Sequence, residues 1–452
     1  MKSFITKTNI EKSGTILLIA SMFLLPAVEF ICSLFGKPFL LQEEIVVSMG
    51  GFSLICVLLL ALKNQCIRLY KSDLFLGLLF LFAILSLIFS KDIMQSIYGN
   101  KPSYREGIFV FFSYYSVALL ASRIINIDYR KWLLKSFLIL GIVETFVGIL
   151  QLNGLWPYSS LFDWTTPVGE NAFGTPSFAF GFTEQINFFS ALTVIFTGLT
   201  AGAFLLAEGK KRILYLGLSA FCFYGVLASY SRLGLLGVIG FLCYLLLISF
   251  VAYKIKVKKK ALSPKSILLL FVIYVLVLLF ASIVSPELMG KFARTQNELS
   301  KAASGNVNAL GSSRIFIWKE GLETVPHCWY IGTGLDNYVY SFFWDNPEYT
   351  GFYQDKGHNE YIHILVTQGV FALITWLSMI LYNLYTATKR FFHSDNVESK
   401  LTFILIVMYG GYLCQALANS SVTNVAIYNW IITGLLLYTA DKKPLKTIKI
   451  TT

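Results

Sequence analysis

Apolar residues fall in long unbroken runs along this chain, with short polar stretches between them. Twelve runs can be marked: 14–35, 44–62, 74–90, 108–122, 133–154, 184–206, 213–229, 233–253, 266–285, 365–386, 401–417 and 425–440. A helix of roughly twenty apolar residues crosses the ~30 Å hydrocarbon core of a bilayer. The runs lack the two-residue alternation of barrel strands, so each predicts a helix. The expectation is an all-α polytopic membrane protein with about 12 transmembrane helices, forming a single integral membrane domain over 1–452. The fourth run is short and borrows from its flanks. The first follows Lys2, Lys7 and Lys12 as a signal sequence would, but lacks a small-x-small cleavage site. More spans follow it, so it is read as a retained anchor.

One polar interruption is out of scale. A loop over 286–364 is rich in Arg, Gly, Asn, Asp and Trp, and it is where chemistry is expected in so apolar a chain. Within it, Ser312-Ser313 reads as a cap before a helix opening at Arg314, and Pro326 as that helix's end. Gly332 and Gly334 permit a tight turn. A second short helix is expected over 335–343, and a third over 359–368, broken by Gly369. Polar segments at 91–107 and 155–183, and the small turn Ser229-Tyr230-Ser231-Arg232, fall on the same side of the membrane.

Composition agrees: 56% of residues are hydrophobic, only 14% are charged, and mean hydropathy is +0.65. Charge adds the orientation. With the N-terminus inside, the cytoplasmic segments hold 26 of the 37 Lys and Arg, and the outer segments hold 11 despite containing the longest loop. The positive-inside rule then predicts N-in/C-in, with the long loop outside. The net charge of +12 therefore calls for no nucleic acid. Lys254, Lys256, Lys258, Lys259 and Lys260 read as a cytoplasmic loop against anionic membrane lipid. The 7 cysteines are scattered without CxxC or metal-ligand spacing, so no disulfide framework, metal or cofactor is expected.

Few residues remain as candidates for chemistry. Arg232 is a single arginine where two spans meet the outer interface. It either snorkels to phospholipid headgroups or presents a fixed guanidinium to a lipid-linked phosphate, which its planar fork suits. Arg105 and Arg314 are placed to join it, and Arg314 adds its charge to the N–H groups of a helix start. Read as structure alone, Arg314 lies on a solvated helix face. Of the four histidines, His358 opens a helix at the outer surface beside Asn359, Glu360 and Tyr361. Its imidazole could take a proton from a hydroxyl, or the residue could simply shape the loop. His327 reads as a turn residue, His393 as cytoplasmic, and His363 as lying off the helical face of His358. Glu29 and Glu144 sit inside spans, where an acid is either a coupling site or the partner of a polar neighbour.

The order of these features is informative. Ser231-Arg232-Leu233-Gly234 on a very short outer turn is followed by a long late loop with Arg314-x-x-x-Trp318, Gly332-x-Gly334-x-x-Asn337-Tyr338 and His358-Asn359-Glu360-Tyr361. On twelve spans, this resembles the O-antigen ligase and O-antigen polymerase superfamily. Tyr104-Arg105-Glu106-Gly107, Gly174-Thr175 and Asn187 resemble weaker parts of the same pattern. The likeness is strongest over about 220–385.

The resemblance implies a metal-independent, inverting glycosyltransferase on the outer face of the bacterial cytoplasmic membrane. Its donor would be an undecaprenyl-pyrophosphate-linked glycan, and its acceptor another glycan, lipid A core or a protein. A chain-length regulator is a further partner the resemblance allows. Arg232 and Arg314 would match arginines that hold the pyrophosphate, and His358 the catalytic base. Arg105, Tyr104, Gly332, Gly334, Asn337, Tyr338, Asn359 and Tyr361 would line the substrate site. Polymerase is the favoured member, since the outer segments show no large acceptor-binding domain, with ligase the alternative. A secondary transporter or flippase shares the twelve spans and could use Glu144, but lacks paired intramembrane acids and bases and paired Gly/Pro-interrupted helices. A structural partner in a glycan-assembly complex is the third reading.

Overall fold

A computed structural model describes residues 6–34, 41–100, 105–153, 178–183, 185–285, 311–345, 350–440 and 443–449, with 288, 296, 298, 300, 303 and 348 between them. The predicted contributions of Tyr104, Gly174 and Thr175 lie outside these residues. Fourteen α-helices are described. They are α1 (Lys7–Leu34), α2 (Gln42–Lys63), α3 (Lys71–Ile88), α4 (Ile93–Tyr98), α5 (Ile108–Ser122), α6 (Ile127–Leu152), α7 (Ile186–Leu206), α8 (Gly209–Ala228), α9 (Arg232–Lys254), α10 (Pro264–Val284), α11 (Arg314–Cys328), α12 (Glu360–His393), α13 (Val397–Gln415) and α14 (Thr423–Ala440). Ten of these are long and apolar enough to cross a membrane. The apolar helices α5 and α14 are shorter and occupy the other two predicted runs. The protein is an all-α, multi-pass membrane protein.

Burial separates the helices by environment. The apolar window of α7 is 94% buried, whereas that of α10 is 22% buried. A helix apolar on every side belongs in the interior or in lipid, and these two take the two options. α7 packs on α8 and α13, and α9 packs on α13. Glycines set the spacing: a Cβ on Gly198 or Gly202 of α7 would lie 3.0 Å or 3.1 Å from the Cα atoms of Met408 or Ile404 in α13. Small residues let membrane helices approach this closely, where dispersion between backbones replaces a hydrophobic driving force. A second set is formed by α5 against α2 and α14, and α12 against α3.

Two short strands were not foreseen in the sequence. Cys66–Leu69 (β1) and Lys446–Lys449 (β2) pair antiparallel, with Cys66 opposite Lys449 and Leu69 opposite Lys446.

Three local expectations are corrected. Helix α11 runs past Pro326 to Cys328, because a proline in the last turn removes a hydrogen bond only where the helix is already ending. Ser313 is left-handed (φ 67°) and its side chain makes no cap; the Ser312 hydroxyl is engaged elsewhere. Over 335–343 the only helical piece is a 3₁₀ turn, Tyr338–Ser341. Gly369 does interrupt its helix, with φ 84° and ψ 176° inside α12.

The two intramembrane acids hold other segments. Glu144 accepts from the backbone N–H of Phe182 (3.0 Å), and Gln151, two turns on, accepts from Phe180 and Gly181. Glu29 accepts from Gln42, which in turn accepts from Thr423. Each carboxylate therefore joins elements distant in sequence, and neither contact is with a basic side chain.

Candidate functional site

The long loop is fixed first by its glycines. Gly332 has φ +74°, and a Cβ there would lie 2.2 Å from the carbonyl carbon of Thr367. This close approach lets Thr333 and Gly334 donate to the carbonyls of Val366 (2.8 Å) and Thr367 (3.0 Å) at the end of the first part of α12. Asn337 follows, fully buried, donating to the carbonyl of Asp92 (3.0 Å) and to Ser96 (2.6 Å) at α4. The Tyr338 hydroxyl donates to the Ile317 carbonyl of α11 (2.8 Å), and its ring stacks on His363 at 5.5 Å.

A buried charge cluster completes this framework. Lys356 donates to Asp336 and to Glu106 (2.8 Å), all three almost fully buried. Asp336 also accepts from the N–H groups of Asn100 and Glu106, tying the 91–107 segment to the loop. Burial alone would push the Lys356 ammonium toward neutrality. Asp336, Glu106 and Asp355 outweigh it and hold its pKa above the ordinary lysine value.

The second cluster is more open. Arg232 is the first residue of α9, its side chain 32% exposed. The turn before it is tight: Tyr230 has φ +52°, and Ser229 accepts from the Ser231 N–H. Ser231 donates to Asn187 at the start of α7 (2.7 Å). Both terminal nitrogens of Arg232 donate to Glu298, each at 3.0 Å, and one also donates to Ser312 (2.9 Å). Burial would raise the Glu298 carboxyl, but the guanidinium outweighs it and holds the pKa below the ordinary range.

Arg314 begins α11, where it donates to the carbonyls of Gly311 (2.8 Å) and Ala418 (2.9 Å). His358 lies in the left-handed region (φ +46°), and its N–H donates to Ser420 (2.9 Å). The 416–422 segment between α13 and α14 thus holds both Arg314 and His358. Asn419 in the same segment donates to the Asn187 carbonyl (3.4 Å), bringing in the Arg232 turn as well. Electrostatics confirms the neighbourhood: Arg232 acts on Arg314, and Arg314 on His358. Burial first, then the Arg314 charge, lowers His358 to about 4, so its imidazole is neutral at physiological pH.

The structure therefore brings Arg232, Arg314 and His358 together. Other expected site residues take framework positions. Asn359 caps α12, accepting from the N–H groups of Tyr361 (3.0 Å) and Ile362 (3.1 Å). The Tyr361 hydroxyl donates to the Leu413 carbonyl (3.0 Å). Gly332, Gly334, Asn337 and Tyr338 join segments of the protein, as described. Arg105 is held by Glu43 (2.8 Å) and Glu44 (3.0 Å) at the start of α2. Sequence reasoning missed Glu298, Ala418 and Ser420, and read Ser312 as a helix cap rather than a partner of Arg232. No cluster of three His, Cys, Asp or Glu side chains that could hold a metal ion occurs among the described residues.

Residues 217–377 match the Wzy_C family model, described as O-antigen ligase. That stretch is an O-antigen ligase family domain. A comparison with curated proteins gives no match. The Wzy_C domain takes in Arg232, Arg314 and His358, together with the glycine turn at Gly332. Three of the residues bonded to it, Asn187, Ala418 and Ser420, lie outside its limits.

Proposed function

We propose that this protein is a membrane glycosyltransferase that polymerises lipid-linked oligosaccharide repeat units on the outer face of the cytoplasmic membrane, taking its donor from undecaprenyl pyrophosphate. The observation that carries the reading is the grouping of two guanidiniums and a neutral imidazole where α9 meets the long loop, inside a Wzy_C domain. Glu298 offers Arg232 two oxygens, as a phosphate would. A diphosphate would replace that carboxylate and engage Arg314 beside it. A small apolar crevice lined by Leu227, Tyr230, Leu235 and Leu288 opens at Arg232.

In this reading the acceptor hydroxyl attacks the anomeric carbon from the face opposite the diphosphate. The carbon–oxygen bond to phosphate breaks, the electron pair leaves with the diphosphate, and His358 takes the hydroxyl proton. Fixed guanidiniums stabilise the charge that grows on the leaving group and need no reorganisation as it forms. N-in/C-in topology belongs to the same proposal, since it puts these residues on the outer face. The residues 418–420, joined to Arg314 and His358, support the reading by fixing both groups from one segment.

Ligation of finished glycan to lipid A core or to a protein is the second reading, favoured by the family description itself. The test is the glycan profile of cells lacking the native protein and supplied with wild type, Arg232→Ala or His358→Ala, at matched membrane levels. A ladder restored by wild type, with only single lipid-linked repeat units in both variants, is the expected result. Long lipid-linked polymer that never reaches its acceptor would make the protein a ligase. Full complementation by both variants would remove the site.

A further inference from the structure

Helix α5 leads away from the candidate site. It begins beside Glu106, which is bonded to the long loop, and ends at Arg123 on the opposite side of the bundle. There α2, α3 and α5 part around a cavity of about 320 Å³. The walls are apolar: Leu54 and Val57 of α2, Leu76 and Phe80 of α3, Phe112 and Leu119 of α5. The rim is cationic, with Lys7, Arg68 and Arg123. Arg123 is anchored by Asp73 (2.6 Å) and lies over the Tyr70 ring at 4.8 Å. Arg68 is exposed on β1, whose residues form the lip, and β2 places Lys446 and Lys449 opposite Leu69 and Cys66. Both β2 lysines are exposed.

Between these apolar walls, Tyr115 and Ser116 apart, water finds few polar partners. The cavity's position among membrane helices offers it hydrocarbon instead, and its mouth offers positive charge. We propose that this cavity holds an acyl chain of an anionic bilayer phospholipid, the headgroup resting against Arg68, Lys446 and Lys449. Near a membrane surface each basic side chain contributes ~1 kcal/mol toward an anionic headgroup, so the selection of anionic over zwitterionic lipid is more than tenfold. The site is independent of the glycan-transfer reading and shares no residue with it.

The structure supplies a blocking variant. Gly77 lines the cavity, and a Cβ there would meet nothing within 4 Å. Gly77→Phe therefore fills the space without a backbone clash. The comparison is Leu78→Phe, one residue on, at a side chain 41% exposed and outside the lining. The experiment is native mass spectrometry of the full-length protein in mild detergent, titrated with phosphatidylglycerol or phosphatidylcholine. Wild type and Leu78→Phe are expected to retain phosphatidylglycerol preferentially, Gly77→Phe to lose that preference, and Arg68→Gln to weaken it about fivefold. Equal retention of the two lipids by wild type, or undiminished phosphatidylglycerol on folded Gly77→Phe, would overturn the proposal. Should Gly77→Phe not fold, Arg68→Gln decides: unchanged retention rejects the site.

Discussion

The long loop carries two charge clusters built on opposite plans. Around Lys356, two carboxylates meet one ammonium whose side chain is 4% exposed, and two backbone N–H groups donate to one of those carboxylates, Asp336. Around Arg232, whose side chain is 32% exposed, one carboxylate, Glu298, faces two guanidiniums, and His358 neighbours the second of these, Arg314. The first cluster holds more carboxylates than its one ammonium, the excess met by backbone N–H groups on Asp336, and folds a segment against its neighbours. The second is left with cations in excess beside a water-accessible surface. The sign of the excess charge and its exposure separate a buried cluster that folds the loop from an open one able to meet an anion.

The contrast can be broken most forcefully at Lys356. Removing one member of a buried ion pair leaves an uncompensated charge and costs ~3–5 kcal/mol. Lys356→Met is expected to lower the thermal midpoint of the purified protein sharply, and an unchanged midpoint would show that the cluster does not hold the loop. Arg232→Gln should do the reverse: transfer slower by about 10²–10³, by analogy with loss of one donor to a developing anion, at a near-normal midpoint. A fall in stability like that of Lys356→Met would move Arg232 into the framework. Tyr338→Phe removes one buried hydrogen bond, to Ile317, and should cost ~1 kcal/mol in denaturation without slowing transfer by the folded fraction.

The smallest effect is the sharpest probe. Burial and Arg314 lower His358 to about 4 from an ordinary 6.5, so its basic form persists into acid. The acid limb of kcat/KM is expected near that value, with the rate falling only as pH drops through it. Arg314→Gln takes away one lowering influence, so its limb should move up toward 6.5 while burial keeps it below that value. A wild-type limb already at 6.5 would place the base elsewhere.

The helices were legible because a span needs only length and apolarity, and each of the twelve runs contains one. Arg232 and His358 stood out because cations and histidines are rare in outer segments of such a chain. What supports His358 and Arg314 was not legible. Ala418 contributes only a carbonyl and Ser420 only a hydroxyl, 104 and 62 residues from their partners, and no periodicity marks such contacts. Gly332, Asn337 and Tyr338 took substrate roles from the family resemblance; the structure shows them buried and bonded to other segments, contacts that no spacing in the sequence marks. The partners of Lys356 were hidden for a similar reason: Glu106 is 250 residues away.

The segment between α13 and α14 also sets the order in which the molecule can be completed. It contacts Arg314, His358 and the turn at Asn187, yet it is synthesised after all of them. A chain still emerging from the ribosome can have its long loop complete while Ala418 and Ser420, partners of Arg314 and His358, are not yet made. Competence to act would then arrive in one step, when the final hairpin inserts.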